Sequence, residues 1–463
     1  MGKVLKHIIP QLRICRDEQM KENGTASSLM EVINQKKLRA IKDGIIRAEK
    51  PLEPISENEV PYELPMGWLW IRLGEYALKV TDYVASGSFA ALKENVLITN
   101  EPNYAIMVKT ADFSNGFTKN LTYTDRQGYD FLSNSNLFGG ELILSNIGSI
   151  GKVFIVPYLK QPMTLASNTV MVKVTDDELI KYLYFYFLSP LGQRTLKGIS
   201  SGTSMMKFNK TQLKNTLVPV APLDKQKHIV GLLEKVQAII EARQQELQKL
   251  DELIKARFVE LFGFPGTDEK GWGLRRLGEC CEINPKKVSD KRLASGMQVS
   301  FVPMTAVSEN GAIKTAEKKT YDEVKVGFTY FAENDVLFAK ITPCMENGKG
   351  AVAVGLCNGI GFGSTEFHVL RPINGKSNPY WLYSLISFDT FRKDAATNMT
   401  GSAGQRRVPS MFLEKYKITL PPFELQNQFA DFVHQVDKSK VAVQKALDET
   451  QLLFDSLMQQ YFE

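Results

Sequence analysis

The sequence predicts an α+β chain with two duplicated mixed α/β domains, separated by two long helices that pair antiparallel as a coiled coil. Three observations predict it. Gly67-Trp68-Leu69-Trp70-Ile71-Arg72-Leu73-Gly74-Glu75 recurs as Gly271-Trp272-Gly273-Leu274-Arg275-Arg276-Leu277-Gly278-Glu279, identical at six of nine positions. Pro222-Leu223-Asp224-Lys225-Gln226 recurs as Pro422-Phe423-Glu424-Leu425-Gln426. After each proline marker, apolar residues fall at alternating steps of four and three.

The chain has 463 residues, more than one ordinary core holds. The expected boundaries are an N-terminal helical or linker segment (1–61), a first domain (62–222), a central helix (223–263), a second domain (264–422) and a C-terminal helix (423–463). A repeat of about 200 residues is domain duplication, not a solenoid. Both copies run in one order. An apolar, strand-like run (142–144; 336–338) leads into a Gly-containing loop (145–152; 339–349). A Tyr- and Leu-rich segment follows (182–188; 380–386), then a small polar loop (200–204; 400–404). Short β-rich runs such as 170–174 and 417–420 alternate with turn residues, which suggests α+β.

The helices come next. From 224 to 262 there is no proline, and a seam runs through Ile229, Leu233, Val236, Ile240, Arg243, Leu247, Leu250, Ile254, Arg257 and Leu261. Two hundred residues on it becomes Phe429, Val433, Val436, Lys440, Val443, Leu447, Thr450, Phe454, Leu457 and Tyr461. Eight of ten positions in each are apolar, as a 3.5-residue repeat requires. An acidic residue sits in each first turn, where the helix dipole favours it. Such a stripe must be covered. The simplest partner is the other copy, with another protein as the alternative. Arg243 and Arg257 read as register or partner-binding residues.

Charge and composition exclude several classes. The net charge of +6 is unevenly spread: +2 over 1–61, +3 over 62–222, 0 over 223–263, +5 over 264–422 and −4 over 423–463. Positive charge therefore sits on the two domains, as a polyanion partner requires. No apolar run reaches the length of a membrane span. The basic N-terminus has too interrupted an apolar run for a secretory signal, so the cytoplasm is expected. Five cysteines (Cys15, Cys280, Cys281, Cys344, Cys357) and four scattered histidines lack metal-ligand spacing. Neither a metal nor a cofactor is expected, and the thiols read as free and buried.

Catalytic motifs are missing too. Pro421-Pro422 follows Leu420, not the Asn or Asp of an adenine methyltransferase loop, and reads as a strand-to-helix break. Gly375-Lys376-Ser377 resembles the end of a P-loop, but Leu370 stands where its first glycine belongs, so it reads as a surface turn. Asp322-Glu323-Val324-Lys325 has the wrong spacing for a nuclease cluster and reads as a solvated turn. No G-x-S-x-G or H-E-x-x-H occurs.

The duplicated pattern resembles the specificity subunits of type I restriction-modification enzymes, over about residues 62–463. The likeness rests on Pro61-Tyr62-Glu63-Leu64-Pro65-Met66-Gly67-Trp68 and on Lys340-Ile341-Thr342-Pro343-Cys344-Met345-Glu346-Asn347-Gly348-Lys349-Gly350. It rests equally on Gly363-Ser364-Thr365-Glu366-Phe367-His368-Val369-Leu370 and on Gly401-Ser402-Ala403-Gly404-Gln405-Arg406-Arg407. The first copy departs from this pattern: Asn146 stands where many relatives carry arginine, and Gly202-Thr203-Ser204-Met205-Met206-Lys207 lacks the paired arginines. The two domains should therefore read different DNA sequences. Residues 27–50 resemble the basic amphipathic helix and linker that precede the first domain in some relatives.

The resemblance implies a non-catalytic, sequence-specific DNA-recognition subunit with two target-recognition domains. Each would read one half of a bipartite, asymmetric site in double-stranded DNA. The helices would set the spacing and dock two methyltransferase subunits, and restriction and translocase subunits would complete the complex. Groove readout needs Arg, Lys, Asn, Gln, Ser or Thr on loops. The candidates are Gln405, Arg406 and Arg407, then Lys340, Thr342, Asn347 and Lys349, and in the first copy Ser145, Asn146, Ser149, Lys152, Thr203, Ser204 and Lys207. Each could instead belong to an ordinary basic or loop-stabilising surface. Trp68 and Trp272 read as core anchors before base-stacking groups, and His368 as a satisfied core histidine. Two other classes stand as alternatives: a self-sufficient DNA modification or cleavage enzyme, and a coiled-coil protein-binding adaptor.

Overall fold

Among the described residues, ten strands in each half of the chain pair in the same order. The first ten are β1 (Leu69–Arg72), β2 (Lys79–Asp82), β3 (Ala105–Val108), β4 (Tyr123–Thr124), β5 (Asn136–Leu137), β6 (Leu142–Ser145), β7 (Val153–Ile155), β8 (Met163–Leu165), β9 (Thr169–Lys173) and β10 (Leu217–Val220). The second ten are β11 (Leu274–Arg276), β12 (Cys281–Ile283), β13 (Gln298–Val302), β14 (Glu317–Thr320), β15 (Thr329–Ala332), β16 (Val336–Ala339), β17 (Gly350–Val352), β18 (Ile360–Gly363), β19 (Phe367–Pro372) and β20 (Lys417–Thr419). The sheets run β1-β10, β2-β9-β6-β7 and β4-β3-β8-β5, and adding ten to every strand gives β11-β20, β12-β19-β16-β17 and β14-β13-β18-β15. Even the parallel pairings correspond, β3 with β8 and β13 with β18. The duplication seen in the sequence is thus a duplication of topology.

This computed structural model describes residues 25–203, 205–287, 292–314, 316–402 and 404–463. The chain forms two compact units, one of Met1–Ile240 with Glu449–Glu463 and the other of Glu241–Asp448. β6 and β16 are buried at every residue, which explains their unbroken apolar runs. The Tyr- and Leu-rich segments lie in the helices Asp177–Leu188 and Pro379–Ile386. In the first unit Tyr182 and Tyr186 donate their hydroxyls to the carbonyls of Pro219 and Leu217, which ties that helix to β10. In the second, Trp381, Phe391, Phe258 and Phe429 meet in one core cluster.

The repeated motifs have physical reasons. The proline markers break strand from helix: β20 ends at Thr419 and the second long helix spans Phe423–Phe462, while the first spans Leu223–Phe262 after β10. The glutamine of each marker is buried and clamps its helix to the domain before it. Gln226 donates to Ala221 O and accepts from the Tyr76 hydroxyl. Gln426 donates to Pro421 O and Lys376 O and accepts from Asn378 N–H. Arg72 and Arg276 are identical in the repeat yet differ in role. Arg72 is buried and donates to Glu53 O, Pro54 O, Asn215 O and the Glu59 carboxylate, whereas Arg276 is exposed. Trp272 packs on the second unit's core, and Trp68 is half-buried.

Every seam position of both long helices is buried or half-buried. In the first unit Ile229, Leu233, Val236 and Ile240 are buried, as is Leu457, with Thr450, Phe454 and Tyr461 on the same stretch. Phe462 there lies against Tyr182 and Tyr186. In the second unit Phe258 and Phe262 pack edge-on against Phe429, Asp251 pairs with Lys440 at 2.5 Å, and Arg243 donates to Ala446 O. Rising residue numbers on one helix meet falling numbers on the other, so the pairing there is antiparallel. Leu247, Leu250, Ile254, Leu261, Val443 and Leu447 are half-buried; Val433 and Val436 are buried. Arg257 pairs with Glu260 and lies over the Phe432 ring.

The helix Ala26–Lys42 begins at a Thr25 cap and buries Ala26, Leu29, Ile33 and Ala40. Its Lys37 donates to Gly74 O and Glu75 O, and burial holds its pKa below the usual lysine range. The basic segment before residue 25, with Cys15, lies outside the described residues.

Candidate nucleic-acid interface

The backbone stitches the two candidate loops of each domain into one ridge. In the second domain Arg407 and Thr400 exchange N–H···O bonds of 2.8 and 2.9 Å, Thr342 N–H donates to Arg406 O, and Val408 N–H to Lys340 O. In the first domain Lys207 and Ser201 exchange bonds of 2.9 Å, Gly148 N–H donates to Met206 O, and Phe208 N–H to Asn146 O. The same pattern therefore aligns Lys207 with Arg407, Met206 with Arg406, Asn146 with Lys340 and Gly148 with Thr342. Ser145 N–H donates to Lys152 O as Ala339 N–H does to Lys349 O, which aligns the lysines that close each loop. Gly148 and Gly404 take positive φ values of 76° and 83°, a region open to glycine at little cost.

Not all the candidates present their side chains. Gln405 and Arg406 are exposed on the second domain, as is Asn347, while Lys340, Thr342, Lys349 and Arg407 are half-buried. Ser149, Lys152, Thr203 and Lys207 are exposed on the first. Ser204 lies outside the described residues. Two of the candidates are engaged within the protein. Ser145 is only 3% exposed, so its hydroxyl belongs to the scaffold at the end of β6. The Asn146 amide donates 3.0 Å to Phe208 O, which ties one loop to the other. Thr342 is also engaged, donating its hydroxyl to Glu346 at 2.8 Å, and Lys349 reaches Met304 O at 3.4 Å.

A carboxylate missed in the sequence organises the second domain's ridge. Glu366 accepts from Arg407 Nε at 2.9 Å and Nη2 at 2.8 Å, a bidentate pair. The hydrogen bonding and charge of Arg407 hold the Glu366 carboxyl below the usual glutamate range. Burial holds Lys340 below the usual lysine range. The first-domain counterpart of Glu366 is Asn168, whose carbonyl accepts from Asn146 N–H as that of Glu366 accepts from Lys340 N–H. His368 sits beneath the ridge: Nε2 donates to Val408 O at 2.7 Å and Nδ1 lies 3.0 Å from the Asn284 amide nitrogen. Burial pushes its pKa down.

Elsewhere the reactive-looking residues are structural. Cys280 and Cys281 are free and buried, and burial pushes the Cys280 thiol up to about 11. Ser377 of the P-loop-like turn is buried and donates to Cys280 O. Asp322 is exposed on the helical turn Tyr321–Val324, where Lys325, Gly296 and Ser295 hold its carboxyl down at about 2. Among the described residues no cluster of His, Cys, Asp or Glu could hold a metal ion, and no helix is long and apolar enough to cross a membrane.

Comparison with known proteins converges on one family. The type I restriction modification DNA specificity domain matches residues 84–252 and again 269–450. Over 194 residues the chain is 39% identical to the EcoAI specificity subunit of Escherichia coli, and over 196 residues 38% identical to the EcoEI specificity subunit. Each match covers 41% of this chain, and the chain spans only 32% of the length of either relative. The crystal structure of a type I S subunit from M. genitalium superposes with a TM-score of 0.47 at 13% identity, covering 88% of this chain and 98% of that one.

Proposed function

Because the chain belongs to the type I restriction modification DNA specificity domain family, we propose that it is the DNA-reading subunit of a type I restriction-modification complex. Each domain reads one part of a bipartite site in double-stranded DNA. The long helices govern the gap between those parts and dock methyltransferase subunits, and a restriction subunit adds cleavage. The chain itself performs no chemistry and works in the cytoplasm. The observation that carries this reading is the doubled ridge: two topologically equivalent domains, each offering a stitched pair of basic loops. Phosphate contacts by exposed lysines give affinity, and the differing side chains at equivalent positions give two different half-sites.

The test is to co-express the chain with candidate methyltransferase subunits and map modified bases across the host genome. A single bipartite, asymmetric motif is expected, which disappears without this chain. Purified chain that methylates or cuts DNA unaided would instead make it an enzyme. Absence of any salt-dependent DNA affinity would leave a protein-binding adaptor.

A further inference from the structure

A carboxylate on a DNA-facing ridge opposes binding unless it does something there. Glu366 engages Nε and Nη2 of Arg407, and Arg407 Nη1 donates 3.0 Å to Gln405 O. A guanidinium carries five N–H donors, so one remains on each terminal nitrogen. Those two, on neighbouring terminal nitrogens, are engaged by neither Glu366 nor Gln405 O. Arg407 cannot swing toward a phosphate without abandoning a bidentate ion pair. Its backbone is fixed as well, bonded to Thr400 in both directions. Among the described residues the first domain has no such lock: Asn168 and Lys207 stand at the equivalent places, and Lys207 is exposed. The two ridges therefore differ in kind. One presents a free cation, the other a guanidinium held in a single orientation beside a negative charge.

We propose that Glu366 is a positioning residue that holds the Arg407 fork for two adjacent acceptors on one base edge, those of guanine O6 and N7. Its charge also weakens attachment of the second domain to DNA that lacks that base. The inference rests on the DNA-reading function proposed above, and names the base that one residue reads.

The full-length chain, as wild type and as Glu366→Gln and Glu366→Asp, is used to select from a randomised duplex library at fixed salt, and the bound fraction is sequenced. Wild type should select a two-part motif. Glu366→Gln should keep the first domain's half and lose about ten- to a hundredfold of its preference for guanine at one position of the other half. Its retention of unselected duplex should rise, and Glu366→Asp should restore the guanine. An unchanged guanine preference in Glu366→Gln overturns the proposal, as does parallel loss of both halves, which marks a merely structural role. A wild type that selects no motif overturns the DNA-reading function itself.

Discussion

Replacing Gln226 tests how the first domain is fastened to its helix. Gln226 is 1% exposed and Tyr76 wholly buried; the Tyr76 hydroxyl donates to Gln226 Oε1 at 2.7 Å, and Gln226 Nε2 donates to Ala221 O at 2.8 Å. Gln226→Leu strands the tyrosine hydroxyl and the Ala221 carbonyl in the interior. Each unsatisfied group costs about 1–3 kcal/mol, and the leucine recovers about 1 kcal/mol by apolar burial, so the net loss is about 3 kcal/mol. For a unit of this size that lowers the melting temperature by about 6–12 °C. Tyr76→Phe alone strands only Gln226 Oε1, at about 1–3 kcal/mol. With both changes neither end of the bond remains to be stranded, so the double variant should fall short of the summed losses by about 2–3 kcal/mol. Scanning calorimetry of the four proteins completes the cycle. Additivity within about 0.5 kcal/mol would refute the clamp.

Three further outcomes follow from the ridge and the helices. Lys207→Gln should weaken binding to all duplexes alike and lower the slope of log affinity against log salt by about 0.9, as loss of one phosphate contact requires; an unchanged slope in a salt titration removes Lys207 from the interface. Seven residues inserted at matched points of both long helices lengthen each by about 10 Å, or about three base pairs at about 3.4 Å per pair. Methylation mapping that shows the original gap would end the spacing role. Finally, burial depresses the His368 pKa, so below about pH 6.5 the unfolded chain binds more protons than the native one. Stability supplied by the neutral ring is complete above that value and is lost as pH falls through the native pKa. Melting at pH 7.5 and 5.5 should show a smaller acid loss for His368→Asn than for wild type, and equal losses would refute the assignment.

The parts of this protein legible in the sequence are those built from local periodicity. The seam from Ile229 to Leu261 gives a helix because three- and four-residue steps return to one face, and the buried runs of β6 and β16 stand out as unbroken apolar stretches. Glycine and basic residues marked the ridge loops for the same local reason. What stayed hidden depends on distance along the chain. Arg407 and Glu366 are 41 residues apart, and nothing in either neighbourhood signals their pairing. Ser145 looked like a loop residue but caps a buried strand. Arg72 and Arg276 are both followed by Leu-Gly-Glu, yet only Arg72 is covered, by residues 53–59. Identity of sequence did not carry identity of environment.

The first unit is assembled from two separated stretches, Glu449–Glu463 being its last component, whereas the second is one uninterrupted stretch, Glu241–Asp448. A ribosome therefore delivers everything the second unit needs before the first is complete. Until Phe462 emerges, Tyr182 and Tyr186 lack the ring that covers them. The stretch synthesised first thus belongs to the unit that is completed last.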